Sequence, residues 1–272
     1  MLGSWIHDDD LKITLAPTPH ILIDNFLQED SFRGLVEAFP EKPTEDWWSY
    51  RNPLEVKYAF DDVNRMQTGA RSIFEALAEP HVLRKLAHLF GIPDLCLDPL
   101  NHGAGLHMHP RGGRLNMHLD YEKHPILENK FRRLNIILYA NAQWEREWKG
   151  DTQLWDAALQ NCVVQSFPVP NRAIIFATSD ESWHGIPDPI LCPSGTHRQT
   201  LAYYYVSSTP PLAKDEKDWR YKARFAGRPE DAIDPRMQQL YAIRPHRRIT
   251  EEDMERIWPS WVKDEELLSD DA

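Results

Sequence analysis

Cysteine is scarce in these 272 residues: Cys96, Cys162 and Cys192 are odd in number, far apart, and form no CxxC pair. That excludes a disulfide framework and a thiolate zinc site, and it suits a reducing compartment. Basic charge is in deficit, with 31 Lys and Arg against 42 Asp and Glu, a net charge of −11. A phosphate backbone is therefore not the expected partner, since nucleic-acid binders displace counterions with a basic face. No stretch reaches the roughly 18 apolar residues that a membrane helix needs. The opening "MLGSWIHDDDLKITLAP" has no basic start followed by an apolar run. The expectation is a cytoplasmic protein with neither a membrane nor a nucleic acid as partner. Repeats and low-complexity tracts are also missing. The final "KDEELLSDDA" reads as a solvated acidic tail.

What is present can build a core, since 42% of the residues are hydrophobic, with 10 Trp, 9 Tyr and 10 Phe. The expectation is a single domain over 1–272, with a helical part at 1–95, a β core at 96–210 and a covering segment at 211–272. "HILI" reads as a short strand, after which Phe32, Leu35, Val36 and Phe39 recur at helical spacing behind acidic residues. "SIFEALAEPHVLRKLAHLFG" repeats that spacing, with Pro80 interrupting it and Gly91 ending it. From Cys96 onward the pattern changes to short runs separated by Gly, Pro, Asn and Asp: "RLNMHLDY", "RLNIILYAN", "DTQLWD", "CVVQSF", "RAIIFAT" and "TLAYYYVSS". The fold class is mainly β (α+β), a sandwich or jelly roll with helices outside. Near the end, Thr250 is placed to cap a helix reciprocally with Asp253.

One strand carries the chemistry. Successive strand residues point to opposite faces, so "RLNMHLDY" separates Leu115, Met117, Leu119 and Tyr121 from Asn116, His118 and Asp120. His7-Asp8-Asp9 has the same His-x-Asp spacing but no flanking alternation, and reads as an exposed terminal segment. His118 and Asp120 supply two neighbouring positions around a metal, and the best third ligand is His184, which follows "RAIIFAT". Two histidines and a carboxylate on one side of a metal form the facial triad of non-haem Fe(II) oxygenases, with open positions opposite.

On these residues the chain resembles the Fe(II)- and 2-oxoglutarate-dependent dioxygenases, within them the prolyl-4-hydroxylase-like branch, over about residues 100 to 208. The resemblance implies a double-stranded β-helix core. It implies Fe(II) held by His118, Asp120 and His184, with 2-oxoglutarate and O2 as co-substrates and ascorbate as a stimulant. Arg198, 14 residues after His184, corresponds to the basic residue that holds the far carboxylate of 2-oxoglutarate in such enzymes, with Thr200 beside it on the same strand face. Tyr139 and Asn135 lie on a strand whose counterpart contacts 2-oxoglutarate, and Tyr139 is the stronger candidate. Where relatives have a Gly-Gly pair, this chain has Gly150-Asp151. Retention of Asp120 points to hydroxylation of a C-H bond rather than halogenation.

The expected substrate is a small molecule, an amino acid or secondary metabolite, with a prolyl-type protein or peptide substrate as the alternative. The aromatic segments "DWWSY", "QLWDA" and "ESWHG" are candidate pocket walls. Nothing fixes an oligomeric state. His102, His107, His109, His124, His197 and His246 are read as ordinary polar residues. A cupin-like metal protein using His107 and His109, and a non-catalytic jelly roll that binds a sugar or peptide, are the competing readings.

Overall fold

Alternating side chains in the middle of the chain settle as antiparallel strands whose two faces are both used. In the computed structural model, which describes residues 1–231 and 234–261, the strands join one sheet that curls into a nearly closed jelly-roll barrel. The acidic tail lies outside the described residues.

The strands of the middle region are β4 (Cys96–Leu97), β5 (Gly105–His109), β6 (Arg114–Leu119), β7 (Phe131–Tyr139), β8 (Thr152–Trp155), β9 (Cys162–Ser166), β10 (Ala173–Ala177), β11 (His184–Ile186) and β12 (Arg198–Ser207). Before them come β1 (His20–Ile23), β2 (Trp48–Asn52) and β3 (Glu55–Phe60), and after them β13 (Arg224–Phe225). The sheet order is β1-β10-β7-β12-β5-β3-β6-β11-β8-β9, with β2 on β3, β4 on β12 and β13 on β6. The region 1–95, expected to be helical apart from one strand, therefore contributes three strands. β3 separates β5 from β6 and so forms part of the barrel wall.

Helices cover one outer face. α1 (Glu29–Glu37), α2 (Thr68–Leu77) and α3 (Pro80–Phe90) bury Leu35, Ile73, Leu77 and Leu86 against Leu134, Ile136, Leu201 and Tyr205. Each such side chain, fully removed from water, stabilises the fold by about 1.5–3 kcal/mol before entropy is counted. α3 starts on Pro80 and ends on Gly91 in the left-handed region at φ 64°, a conformation glycine adopts without a Cβ penalty. With odd-even alternation, the residues between these contacts on β7 and β12, including Asn135, Ile137, Thr200, Ala202 and Tyr204, line the barrel interior.

The C-terminal part holds α4 (Pro235–Ile243) and α5 (Glu251–Ile257), whose Leu240, Met254 and Ile257 pack on Leu54, Val56 and Phe225. Thr250 and Asp253 make the expected reciprocal cap of α5. This segment is tied to the barrel where β13 pairs β6, with Phe225 opposite His118. Among the described residues no helix is long and apolar enough to cross a membrane.

Candidate active site

β6 and β11 lie side by side with His184 directly opposite His118, although their residues are far apart in sequence. That approach depends on Gly185. A Cβ there would lie 2.6 Å from the Leu115 carbonyl oxygen and 2.9 Å from that of Asn116, closer than real Cβ atoms come. Gly185→Ala is therefore expected to push β11 off β6, with a destabilisation of about 1–3 kcal/mol typical of overpacking and a clear loss of iron affinity. Iron titration beside a thermal melt checks this; unchanged iron affinity would show that the close approach does not set the site.

His118, Asp120 and His184 are all buried, and their ligand atoms lie within 4.8 Å of one another. The Asp120 carboxylate is 3.7 Å from His118 Nε2 through Oδ1 and 3.3 Å from His184 Nε2 through Oδ2. Two adjacent ligands, each about 2.0–2.2 Å from an ion, stand about 3 Å apart, so small side-chain shifts would close this group on a divalent metal. Both imidazoles are pre-set for that task. His118 Nδ1 is 2.9 Å from the Asn116 carbonyl and His184 Nδ1 is 2.8 Å from the Ser182 carbonyl. A proton on Nδ1 satisfies each carbonyl and leaves the Nε2 lone pair facing the group. His107 and His109 do not belong to it.

The carboxylate is also held from behind. Asn135 Nδ2 donates to Asp120 Oδ2 at 2.6 Å, and the Asn135 oxygen accepts from Arg132 Nε at 2.7 Å. Arg132 lies 3.3 Å from Asp120 Oδ2, with its guanidinium 3.3 Å over the Tyr204 ring. Burial pushes the Asp120 carboxyl up, but Arg132 and the two imidazoles outweigh it and hold it well below the usual carboxylate range. Burial, reinforced by the neighbouring His184, pushes His118 well below its ordinary value, which keeps it neutral and able to donate its lone pair. Asn135→Ala should lower metal affinity about 10- to 100-fold, as expected for an outer partner of a ligand, with the fold intact by circular dichroism. Metal retention equal to the native protein's would remove Asn135 from that role.

Arg198 is almost completely buried, 1% exposed, yet it is one of the residues that line the cavity. Its Nε donates to the Gly150 carbonyl at 2.7 Å and its Nη2 to the Thr152 hydroxyl at 2.9 Å. Gly150 has φ 86°, and a Cβ there would come within 3.0 Å of Arg198 Cδ, so this first glycine is the one that the geometry requires. Thr200 follows on the same face and also lines the cavity. The two further candidates differ from expectation. The Tyr139 hydroxyl is occupied by Thr152 and by the Ser166 carbonyl, at 3.0 and 2.8 Å, and the residue is not in the cavity wall. Asn135 does face the cavity, but it is bonded to Asp120 rather than placed beside Arg198.

The cavity encloses about 320 Å³. Residues 104–206, which contain the triad and Arg198, match the model of the 2OG-Fe(II) oxygenase superfamily. This middle part of the chain is similar to that superfamily. Two solved structures of similar fold are a prolyl-4-hydroxylase of Pseudomonas putida and a prolyl hydroxylase of Trichoplax adhaerens in complex with a hypoxia inducible factor oxygen degradation domain peptide fragment. The first is 17% identical with a TM-score of 0.52, covering 68% of this chain and 91% of its own. The second is 14% identical with a TM-score of 0.51, covering 69% and 83%. No curated protein sequence matches. The match over this region supports an oxygenase and implies Fe(II), 2-oxoglutarate and O2 as its cofactors.

Several residues of this oxygenase's cavity were not marked by sequence. His107 and His109, read as ordinary polar residues, line it from β5, and His102 does so from the preceding turn. Both ring nitrogens of His109 are buried without a protein partner, and its backbone pairs with that of Arg198 across β5 and β12. Of the aromatic residues in the three segments, Trp48 and Tyr50 of "DWWSY" line the cavity, and "ESWHG" reaches it through His184 and Gly185 rather than through Trp183. Trp155 and Trp183 instead pack with Met117 and Leu119 on the other side of β6. Alternating His-x-His on a strand is the one signal that could have marked His107 and His109.

Proposed function

We propose that this oxygenase hydroxylates a C-H bond of a small molecule, with iron held by His118, Asp120 and His184 and 2-oxoglutarate held by Arg198 and Thr200. The observation that carries the reading is the buried triad, with each imidazole oriented by a backbone carbonyl and Asp120 anchored by Asn135 and Arg132. When bound, iron and 2-oxoglutarate supply the oxidising power, with O2 as oxidant and succinate and CO2 as by-products. The protein's residues bind, orient and exclude water. Arg198, fixed by Gly150 and Thr152, presents a guanidinium to a carboxylate, and Thr200 adds a hydroxyl donor.

A small substrate is favoured by the roof over the cavity. Lys222, Phe225, Arg244 and Arg248 from the C-terminal segment, and Trp48 and Tyr50 from β2, line the cavity together with the triad. A second reading, a prolyl-type peptide hydroxylase, is favoured by the two similar folds, one of which carries a bound peptide. Succinate release in the presence of Fe(II) and ascorbate, measured over a metabolite panel and a prolyl-peptide panel, tests both. Acceleration by a metabolite supports the first reading, acceleration by peptides alone replaces it with the second, and no succinate under any condition removes the oxygenase assignment.

A further inference from the structure

The cavity wall is cationic in a protein of net charge −11. Lys57, Arg132, Arg198, Lys222, Arg244 and Arg248 line it, against Glu55, Asp61 and Asp120. Most of these charges are accounted for. Arg132 pairs with Asp120, Arg244 donates to Glu55 Oε1 at 2.9 Å, and Asp61 accepts from Trp48 Nε1 at 3.1 Å. Arg198 belongs to the co-substrate in the reading above.

Lys57, Lys222 and Arg248 remain, and of these Lys57 and Arg248 meet at one ring, that of Tyr50. The Lys57 side chain is only 13% exposed, and its nearest carboxylate oxygen is Glu55 Oε2 at 3.9 Å, on a carboxylate already engaged by Arg244. No hydrogen bond to its ammonium is formed by the described residues. The Arg248 guanidinium lies 4.8 Å over Trp48 and 5.1 Å over Tyr50, and Lys57 Nζ stands 5.1 Å from the same Tyr50 ring. Arg248 has no carboxylate partner among the described residues. Like charges gathered at one partly dehydrated wall repel each other and cost free energy unless an anion joins them. They come from β3 and from the C-terminal segment, whereas Arg198 comes from β12.

We propose that Lys57 and Arg248, gathered around the Tyr50 ring, form a subsite for an oxyanion of the primary substrate. The substrate class is then a small molecule bearing a carboxylate, sulfate or phosphate, placed so that this anion lies at the roofed end of the cavity and a C-H bond faces the triad. The inference rests on the small-molecule reading above. The Trp48 and Tyr50 rings attract the guanidinium at cation–π distance, and its N–H donors can serve a two-point contact to an oxyanion.

The test is calorimetric titration of sulfate into the full chain loaded with Fe(II) and 2-oxoglutarate under nitrogen, so that no turnover is needed. Saturable binding of one sulfate is expected, weakened tenfold or more in Arg248→Gln and in Lys57→Met. Arg248 is exposed, so Arg248→Gln keeps the test meaningful even where Lys57→Met folds poorly. Absence of saturable binding, or equal binding in Arg248→Gln, overturns the subsite. Free L-amino acids and a terminally blocked peptide with one glutamate are then used to displace sulfate. Displacement by amino acids supports a small carboxylate, displacement by neither assigns the subsite to sulfate- or phosphate-bearing molecules, and displacement by the peptide alone overturns the small-molecule source. A protein that makes succinate without Arg248-dependent sulfate binding loses the subsite alone. One that binds sulfate but makes no succinate loses the oxygenase assignment alone.

Discussion

Asp120→Ala is expected to abolish iron retention and succinate formation together. The carboxylate is the one anionic member of the triad, and Arg132 and Asn135 are spent on fixing it. Without it, two imidazoles face a buried guanidinium that has lost its counter-charge, so the site changes from attracting a dication to repelling one. The loss of metal affinity should exceed the roughly 10- to 100-fold seen for outer partners of ligands. Breaking a buried pair by removing one member also destabilises a protein by about 3–5 kcal/mol, which should appear as a lower melting temperature. Asp120→Asn separates the two effects, since it keeps the side-chain volume and a carbonyl oxygen that can accept from Asn135 and Arg132. It should fold better than the alanine variant and still fail to retain iron at native affinity. An Asp120→Ala protein that keeps stoichiometric iron and native turnover would remove Asp120 from the metal site.

Arg198→Ala should leave iron content nearly unchanged and raise the 2-oxoglutarate requirement about ten- to a hundredfold, the worth of a charge-assisted contact of roughly 1.5–3 kcal/mol. Its guanidinium is not free to wander. Gly150 and Thr152 hold two of its nitrogens, so the remaining edge is aimed in advance and little ordering cost falls on ligand binding. Arg198→Lys should recover only part of the loss, because an ammonium lacks the planar fork and cannot reach Gly150 and Thr152 in the same geometry. A 2-oxoglutarate titration read by succinate, with metal content measured on the same samples, checks both variants. An unchanged requirement in Arg198→Ala would place the co-substrate clamp elsewhere.

How much of this was legible in sequence depends on whether function follows the strand period. The alternation around His118 and Asp120 marked one polar face on a strand, but the apolar run before His184 is β10, and His184 itself lies on the separate short strand β11, whose pairing with β6 brings the three residues together. Of the wall built by β2 and β3, Trp48 and Tyr50 were marked as candidates, but the inward Glu55 and Lys57 were not legible, because they are charged and resemble a solvated face until the barrel closes over them. Asn135 and Tyr139 shared a predicted strand, but their roles depended on which partner each side chain meets across the barrel. Asn135 meets Asp120, and Tyr139 meets Thr152 and Ser166. Gly185 carried no signal, since a close approach between backbones distant in sequence leaves no local pattern.

The pairing of β13 with β6 joins the stability of the roof to the occupancy of the floor. Phe225 is opposite His118 in register, its ring lies 5.0 Å from the His118 ring at 20°, and Arg220 Nε donates to the Asp120 carbonyl at 2.7 Å. A ligand that binds only the closed arrangement adds its binding free energy to the closure, about 2.7 kcal/mol at a hundredfold excess over its dissociation constant. Amide hydrogens of β13 and the segment around Arg220 should therefore exchange more slowly in the iron-loaded protein than in the stripped one, while those of α1 and α2 on the far side exchange at similar rates. Equal exchange at Phe225 in both forms would mean that the roof closes independently of the metal. If it does not, the same contacts make the C-terminal segment a readout of iron supply, since a protease would cut the stripped protein there first.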